Sequence, residues 1–291
     1  MIGSRVLLLA PAPALAPFVH AFALRRPCAQ AAPLPALQRF PAQWRGALSL
    51  VSEGTLLDGH SGAAVGRAEF CGPRLRPGLR RYRGEPVVTT VLFQPGVLGA
   101  WLGPLRAPAL EARVPAEALL GAAETQALLR LIHPGDSPAQ QVWRLEQWLL
   151  ERLQGLSVAP LWPQTVRDWA GFDVMSWAAQ LGCSARQLQR RVQALQGLSP
   201  KPLLRVLRMQ HCLRLLHQPG QPAQGALAQL EQIAQASGYC DGAHMARELR
   251  ALTGSSPQSL RELLQRSDPR PWIQEPLLQP GLSTPGARAA A

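Results

Sequence analysis

The chain's 291 residues are enough for two ordinary cores, and 47% hydrophobic with 16% charged residues is a globular composition, which argues against a disordered or fibrous chain. The 30 basic residues outnumber 18 acidic ones for a formal +12, with Lys201 the only lysine; this balance suits a polyanionic partner, although an arginine- and alanine-rich genome gives the same bias. The five cysteines, at 28, 71, 183, 212 and 240, are odd in number and lack CxxC or His-paired spacing, so neither a disulfide framework nor a metal site is expected.

The segment from Met1 to Leu24 has the outline of a secretory leader, with Arg5 before the apolar run Val6–Ala10. Pro11, Pro13 and Pro17 interrupt it, and no run reaches the length that crosses a bilayer. The reading is a cytoplasmic protein with no membrane partner. Residues 1–45 are otherwise rich in Ala and Pro, with weak periodicity. Strand-like runs follow at Ala47–Val51, Ala68–Cys71 and Val87–Phe93, separated by turns such as Asp58-Gly59 and Pro95-Gly96. They predict a small, mostly antiparallel β unit.

From Glu111 the pattern turns helical. Within 140–153, Val142, Leu145, Leu149 and Leu153 share one face, with Trp148 beside them. That stripe either covers the β unit of its own domain or pairs with a second copy of the chain; the pattern alone does not choose. Residues 156–168 read as a linker.

Between Ala178 and Pro257 one residue pattern occurs twice. Ala178, Gly182, Leu188, Val192, Gly197 and Ser199-Pro200 are answered by Ala234, Gly238, Met245, Leu249, Gly254 and Ser256-Pro257. The offset is 56 at the first glycine and 57 afterwards, so the second turn has gained one residue. A small residue where two helices cross steeply, a glycine that accepts positive φ, and an apolar pair four apart are what a helix-turn-helix requires. In the first copy Val174–Gln180 is the leading helix, Ser184 a suitable N-cap, and Ala185–Leu195 the following helix. Its polar face carries Arg186, Gln187, Gln189, Arg190 and Arg191. Arginine can fork onto guanine and glutamine onto adenine, so this face has the chemistry to read bases and to hold phosphate. Pro202–Leu216 is expected to be the connecting helix, ending at His217–Gly220. In the second copy Leu230–Ala236 leads and Gly242–Leu252 follows, with His244, Arg247 and Arg250 as candidate contacts. Gly242 and Ala243 bring no long polar group and Glu248 brings a negative one. This unit is therefore expected to discriminate less between sequences and to anchor phosphate more. His244 has a structural alternative, hydrogen bonding near its helix start. The tail 266–291, rich in Pro, Gly and Ala, reads as disordered.

The stretch 173–263 resembles the DNA-binding domain of the AraC/XylS family of bacterial transcription regulators. The residues that carry the likeness are Leu181-Gly182-Cys183-Ser184, Leu188-Gln189-Arg190 and Leu198-Ser199-Pro200, then Ile233-Ala234, Gly238-Tyr239-Cys240-Asp241, His244-Met245-Ala246-Arg247 and Gly254-Ser255-Ser256-Pro257. The resemblance implies two helix-turn-helix subdomains joined by a helix, with base contacts at Arg186, Gln189 and Arg190 and at Gly242, Ala243 and Arg247. Met245 and Leu249 stand where the family usually has Phe. More weakly, Val91–Gly96, Trp101-Leu102-Gly103 and Leu119-Leu120-Gly121 are similar to an uncharacterised sensor type in the same family.

The expected fold class is α+β: a small β-rich sensor domain with helices over 1–155, a linker over 156–168, and an all-α domain over 169–265 made of two helix-turn-helix units joined by a long helix. The expected function is sequence-specific regulation of transcription in response to an unidentified ligand or partner. Its alternative is an interaction module whose second unit has decayed. The expected partner is the major groove of double-stranded DNA, with RNA polymerase, a small-molecule effector and a second copy of the chain as further ones. No cofactor is expected, and no catalysis. His20, His60 and His133 are isolated, Ser49 and Ser61 lack a nucleophile turn, and the carboxylates are scattered. Glu53, Glu69, Arg80 and Tyr82 are candidates to line an effector pocket.

Overall fold

The structure, a computed structural model, describes residues 3–28, 37–103, 113–159, 161–162, 166, 168–216 and 226–265. The tail 266–291 and the predicted helix end at His217–Gly220 lie outside them.

The first part is a sheet of seven strands: β1 (Gly3–Leu9), β2 (Val19–Cys28), β3 (Leu37–Phe40), β4 (Ala47–Asp58), β5 (Ala68–Cys71), β6 (Gly78–Phe93) and β7 (Arg113–Pro115). They run in the order β1-β2-β6-β4-β5-β7, with β3 also on β6, and every pairing is antiparallel. Neighbouring side chains alternate between the faces. Phe22, Leu24, Leu48, Leu50, Phe70, Val91 and Phe93 enter one buried cluster, which the helix at Pro138–Leu153 completes with Val142, Leu145, Trp148, Leu149 and Leu153. The intervening residues Ala23, Arg25, Ala47, Ser49, Thr90 and Leu92 line a cavity on the other face. The helices of this part are α1 (Val97–Leu102), α2 (Ala116–Leu120), α3 (Ala122–Arg130) and α4 (Pro138–Leu153). A capping box starts α4: Ser137 Oγ accepts from Gln140 N–H and the Gln140 side chain accepts from Ser137 N–H. The apolar stripe of α4 covers its own sheet. Buried Gln141 ties the two together, its Oε1 accepting from Thr89 Oγ1 at 3.1 Å and its Nε2 donating to His133 O at 2.6 Å.

The second part is helical: α5 (Val174–Gln180), α6 (Ala185–Gln196), α7 (Pro200–Leu216), α8 (Ala226–Ala236), α9 (Gly242–Thr253) and α10 (Pro257–Gln265). One core joins them around α7, whose Leu203, Leu204, Val206, Leu207, Met209, Cys212 and Leu213 are buried. Part of the segment read as a linker belongs to this core. Leu161 is buried and its carbonyl accepts from Trp177 Nε1 at 2.8 Å, while Trp162 lies 4.8 Å from Trp177 and 5.3 Å from Trp44, ring centre to ring centre. Apolar content, not spacer composition, decides where those residues go.

The sheet part also grips the helical part directly. Ala42 and Trp44, in the loop before β4, are buried in the helical core. Ala42 N–H donates to Leu252 O at 2.6 Å, Arg39 donates to Gly254 O, and Gln196 Nε2 donates to Trp44 O at 3.3 Å. Helix α1 packs on the end of α6 so closely that a Cβ on Gly99 would overlap the Leu195 carbonyl oxygen.

Candidate nucleic-acid interface

The two turns have the same hydrogen bonds. In the first, Leu181 and Cys183 N–H donate to Ala178 O and Gly182 N–H to Ala179 O; in the second, Ser237 and Tyr239 donate to Ala234 O and Gly238 to Gln235 O, all between 2.9 and 3.2 Å. Ala178 and Ala234 are both buried where their helices meet the next. Both turn glycines are left-handed, at φ +63° and +77°, the region that L side chains avoid. The helices that follow start at Ser184 and Asp241 and end at Gly197 and Gly254. Cys183 answers to Tyr239 and Ser184 to Asp241, which places the extra residue at Cys240. It lies just before the second cap.

On α6, Leu188 and Val192 are buried, and Arg186, Gln187, Gln189, Arg190 and Arg191 are all exposed. At 100° per residue Arg186 and Arg190 form the outward stripe, with Gln189 and Arg191 flanking it. Gln187 has a different task. Its Oε1 accepts from Ser184 N–H at 2.8 Å while Ser184 Oγ accepts from Gln187 N–H at 3.2 Å, a closed capping box. The Ser-x-x-Gln spacing carried that signal in the sequence.

On α9, Met245 and Leu249 are fully buried, so they fill the places that Phe would take. The 57-residue offset maps Arg190 onto exposed Arg247 and Arg186 onto exposed Ala243. The stripe is thus reduced to one arginine, with exposed Arg250 beside it. The start of α9 is already supplied with negative charge. Asp241 Oδ1 accepts from His244 N–H at 2.6 Å, and Glu231 Oε2 accepts from Gly242 N–H at 2.8 Å. Two carboxylates there oppose a phosphate at the same helix end; the Gly242 N–H is already taken by Glu231, and Gly242 and Ala243 bring no polar side chain. His244 has an internal role: its Nδ1 accepts from Cys240 N–H at 3.4 Å and its ring meets Tyr239 edge-on. Glu248 is bound in a fork by Arg205 of α7, at 2.8 and 3.1 Å, which holds the arginine's pKa above its ordinary value. Neither Glu231 nor the Arg205–Glu248 fork was visible in the sequence, because both join different helices.

Of the expected effector-pocket residues, Glu69, Arg80 and Tyr82 line cavities on the open face of the sheet, whereas Glu53 is exposed at the β4 bulge and lines neither.

The geometry defines a protein with an antiparallel β domain followed by a tandem helix-turn-helix region. Residues 177–263 match the family described as a helix-turn-helix domain. No curated protein sequence matches the chain. Among solved structures it is similar to a transcriptional regulator with an AraC-type DNA-binding domain from Chromobacterium violaceum, at 24% identity over 33% of this chain and 80% of that one, with a TM-score of 0.28. ToxT from Vibrio cholerae O395 is similar at 9% identity over 90% of this chain and 98% of its own, with a TM-score of 0.44. The DNA-binding domain of AdpA, solved with a target DNA, is similar at 24% identity over 43% and 92%, with a TM-score of 0.28. No helix among the described residues is long and apolar enough to cross a membrane.

Proposed function

We propose that the chain is a sequence-specific transcription regulator. Its first helix-turn-helix chooses the site, its second holds the backbone, and its sheet domain conveys a ligand- or partner-dependent input. The carrying observation is the exposed arginine stripe of α6, set on a fully capped helix that follows the repeated turn. The contacts of the sheet domain with the ends of α6 and α9 support the regulatory half of this reading, since an input there reaches both DNA-facing helices. Residues 1–155 and 169–265 are the two working units, with Leu161 and Trp162 belonging to the second. The work of such a regulator is cytoplasmic, its partner is double-stranded DNA, and RNA polymerase and a second copy of the chain are compatible with the free surface.

The test is selection of bound fragments from a genomic library by the full-length chain, followed by binding of the selected site across a salt series. A site preferred at least a hundredfold over bulk DNA is the expected result; equal affinity for all fragments would sink the regulator reading. Within that assay Arg190→Ala costs about 1–3 kcal/mol and relaxes one base position, whereas Arg247→Ala weakens all sites alike and reduces the salt slope by about 1. A uniform loss for Arg190→Ala would reassign it to phosphate.

A further inference from the structure

The open face of the sheet carries an unusual charge arrangement. A cavity of about 370 Å³ opens between the β4–β5 turn and the start of β6, and an inner chamber of about 90 Å³ continues against the sheet. Arg74, Arg80 and Arg113 line both, so they form the wall between mouth and chamber. Arg25, over the ring of Tyr82, lines the chamber as well. The two linings together hold five arginines against two carboxylates, Asp58 and Glu69.

Those two carboxylates are already engaged. Asp58 holds Arg80 at 2.8 Å and also accepts from the N–H groups of His60 and Ser61. Glu69 holds Arg113 at 3.2 Å and accepts from Gly66 N–H at 2.9 Å. The Nε–H groups of Arg80 and Arg113 remain buried without a hydrogen-bond acceptor. A buried donor left so is costly. Burial, then the charges of Arg113 and Arg74, pull the Arg80 guanidinium down to about 10. An added negative charge between these groups relieves both penalties.

Beyond the arginine wall the chamber is mostly apolar, with Ala23, Ala47, Leu56, Val88 and Leu92 on its surface. Its volume of about 90 Å³ is below the roughly 150 Å³ of a cavity that takes a benzene ring. A body of three or four carbons fits; an aromatic ring does not.

We infer that this cavity is the effector site and that its ligand is a short-chain aliphatic carboxylate, the head on Arg80 and Arg113 and the alkyl body in the inner chamber. The inference rests on the ligand-responsive reading above and supplies the ligand's class.

The experiment is calorimetric titration of the full-length chain with butyrate, with butyramide as the uncharged isostere, benzoate as the oversized carboxylate and inorganic phosphate as the headgroup alone. Butyrate is expected to bind and to raise Tm, with butyramide and benzoate at least tenfold weaker. Arg113→Gln weakens butyrate tenfold or more, and Ala23→Leu, which fills the chamber, abolishes it. Far-UV circular dichroism checks both variants; should Arg113→Gln unfold, Ala23→Leu carries the test. No butyrate binding at millimolar concentration, equal binding of butyrate and butyramide, or phosphate binding without butyrate binding would each overturn the proposal. Site selection on DNA by the same preparation separates the two readings. Specific DNA binding with butyrate ignored removes this ligand class alone, and butyrate binding without specific DNA binding removes the regulator alone.

Discussion

Two glycines that occupy equivalent places in the repeat are under different constraints. Gly182, at φ +63°, has nothing within 4 Å of where a Cβ would stand, so Gly182→Ala costs only the left-handed backbone, about 1–2 kcal/mol. Gly238, at φ +77°, also has the Trp169 carbonyl in that space, so Gly238→Ala costs roughly 3 kcal/mol or more. Urea denaturation of the two variants checks this, and equal midpoints would mean that Trp169 is not seated against the second turn. Buried histidines give a pH dependence of definite sign. Burial, then Arg45, brings His20 from 6.5 to about 3, and burial, then Arg214, brings His211 from 6.5 to about 4. Each is neutral in the fold and protonates in the unfolded chain below pH 6.5, so stability is complete above that value and is lost as pH falls towards 4. The His211→Gln variant should show a shallower fall of the urea midpoint between pH 6.5 and 4 than the parent chain; an unchanged slope would exclude His211 as a contributor.

Helix α6 depends on its cap. Ser184→Ala removes the acceptor for Gln187 N–H and releases Gln187 from the box, which costs about 1 kcal/mol and frays the turn that holds Arg186. The expected result is a lowered urea midpoint together with weaker DNA binding; a loss of stability with affinity unchanged would detach Arg186 from DNA. Such helices were legible because their signals are local: a cap, a left-handed stop, an apolar pair four apart. The leading helix Val174–Gln180 and the strand Ala68–Cys71 have the ends expected from residues alone. Strands β1 and β2 were not legible because the apolar run of β1 has the outline of a leader and β2 lacks a clear two-residue alternation; their pairing with each other and with β6 decides their conformation. The cavity was legible only in part. Arg80 and Tyr82 share a strand with the recognisable run Val87–Phe93, but Arg25 and Arg113 arrive from β2 and β7, 88 residues apart in sequence, through pairing alone.

At the scale of the whole molecule, the loop before β4 of the sheet domain is part of the helical region's own core. Trp44 and Leu161 lie outside the helix-turn-helix match at 177–263 but inside its buried cluster. A fragment beginning at residue 165 would lose Leu161 and Trp162 as well, so the full chain is the right object for DNA work. Gly99 gives the sharpest test of the interface. In an exposed helix Gly→Ala stabilises by about 1 kcal/mol. Against the Leu195 carbonyl the same change pushes α1 off α6, so Gly99→Ala should destabilise the chain and speed hydrogen exchange at Leu195 and Gln196. A stabilised variant with unchanged exchange would show that the two parts do not touch there.

The places where the sheet domain holds α6 and α9 acquire a mechanical meaning from their position. Each helix is gripped near its C-terminal end, at Leu195 and Gln196 and at Leu252 and Gly254, while Arg186 and Ala243 stand at the other end. A 12-residue helix is about 18 Å long. It therefore works as a pointer pivoted at its root: a tilt of about 5° there carries the tip roughly 1.5 Å. Hydrogen bonds to base edges do not survive such a shift, since donor and acceptor must stay within about 3 Å. In the regulator proposed above, a change in the sheet domain too small to alter the fold would thus be amplified along α6 to Arg186 at its tip, by an amount set by helix length.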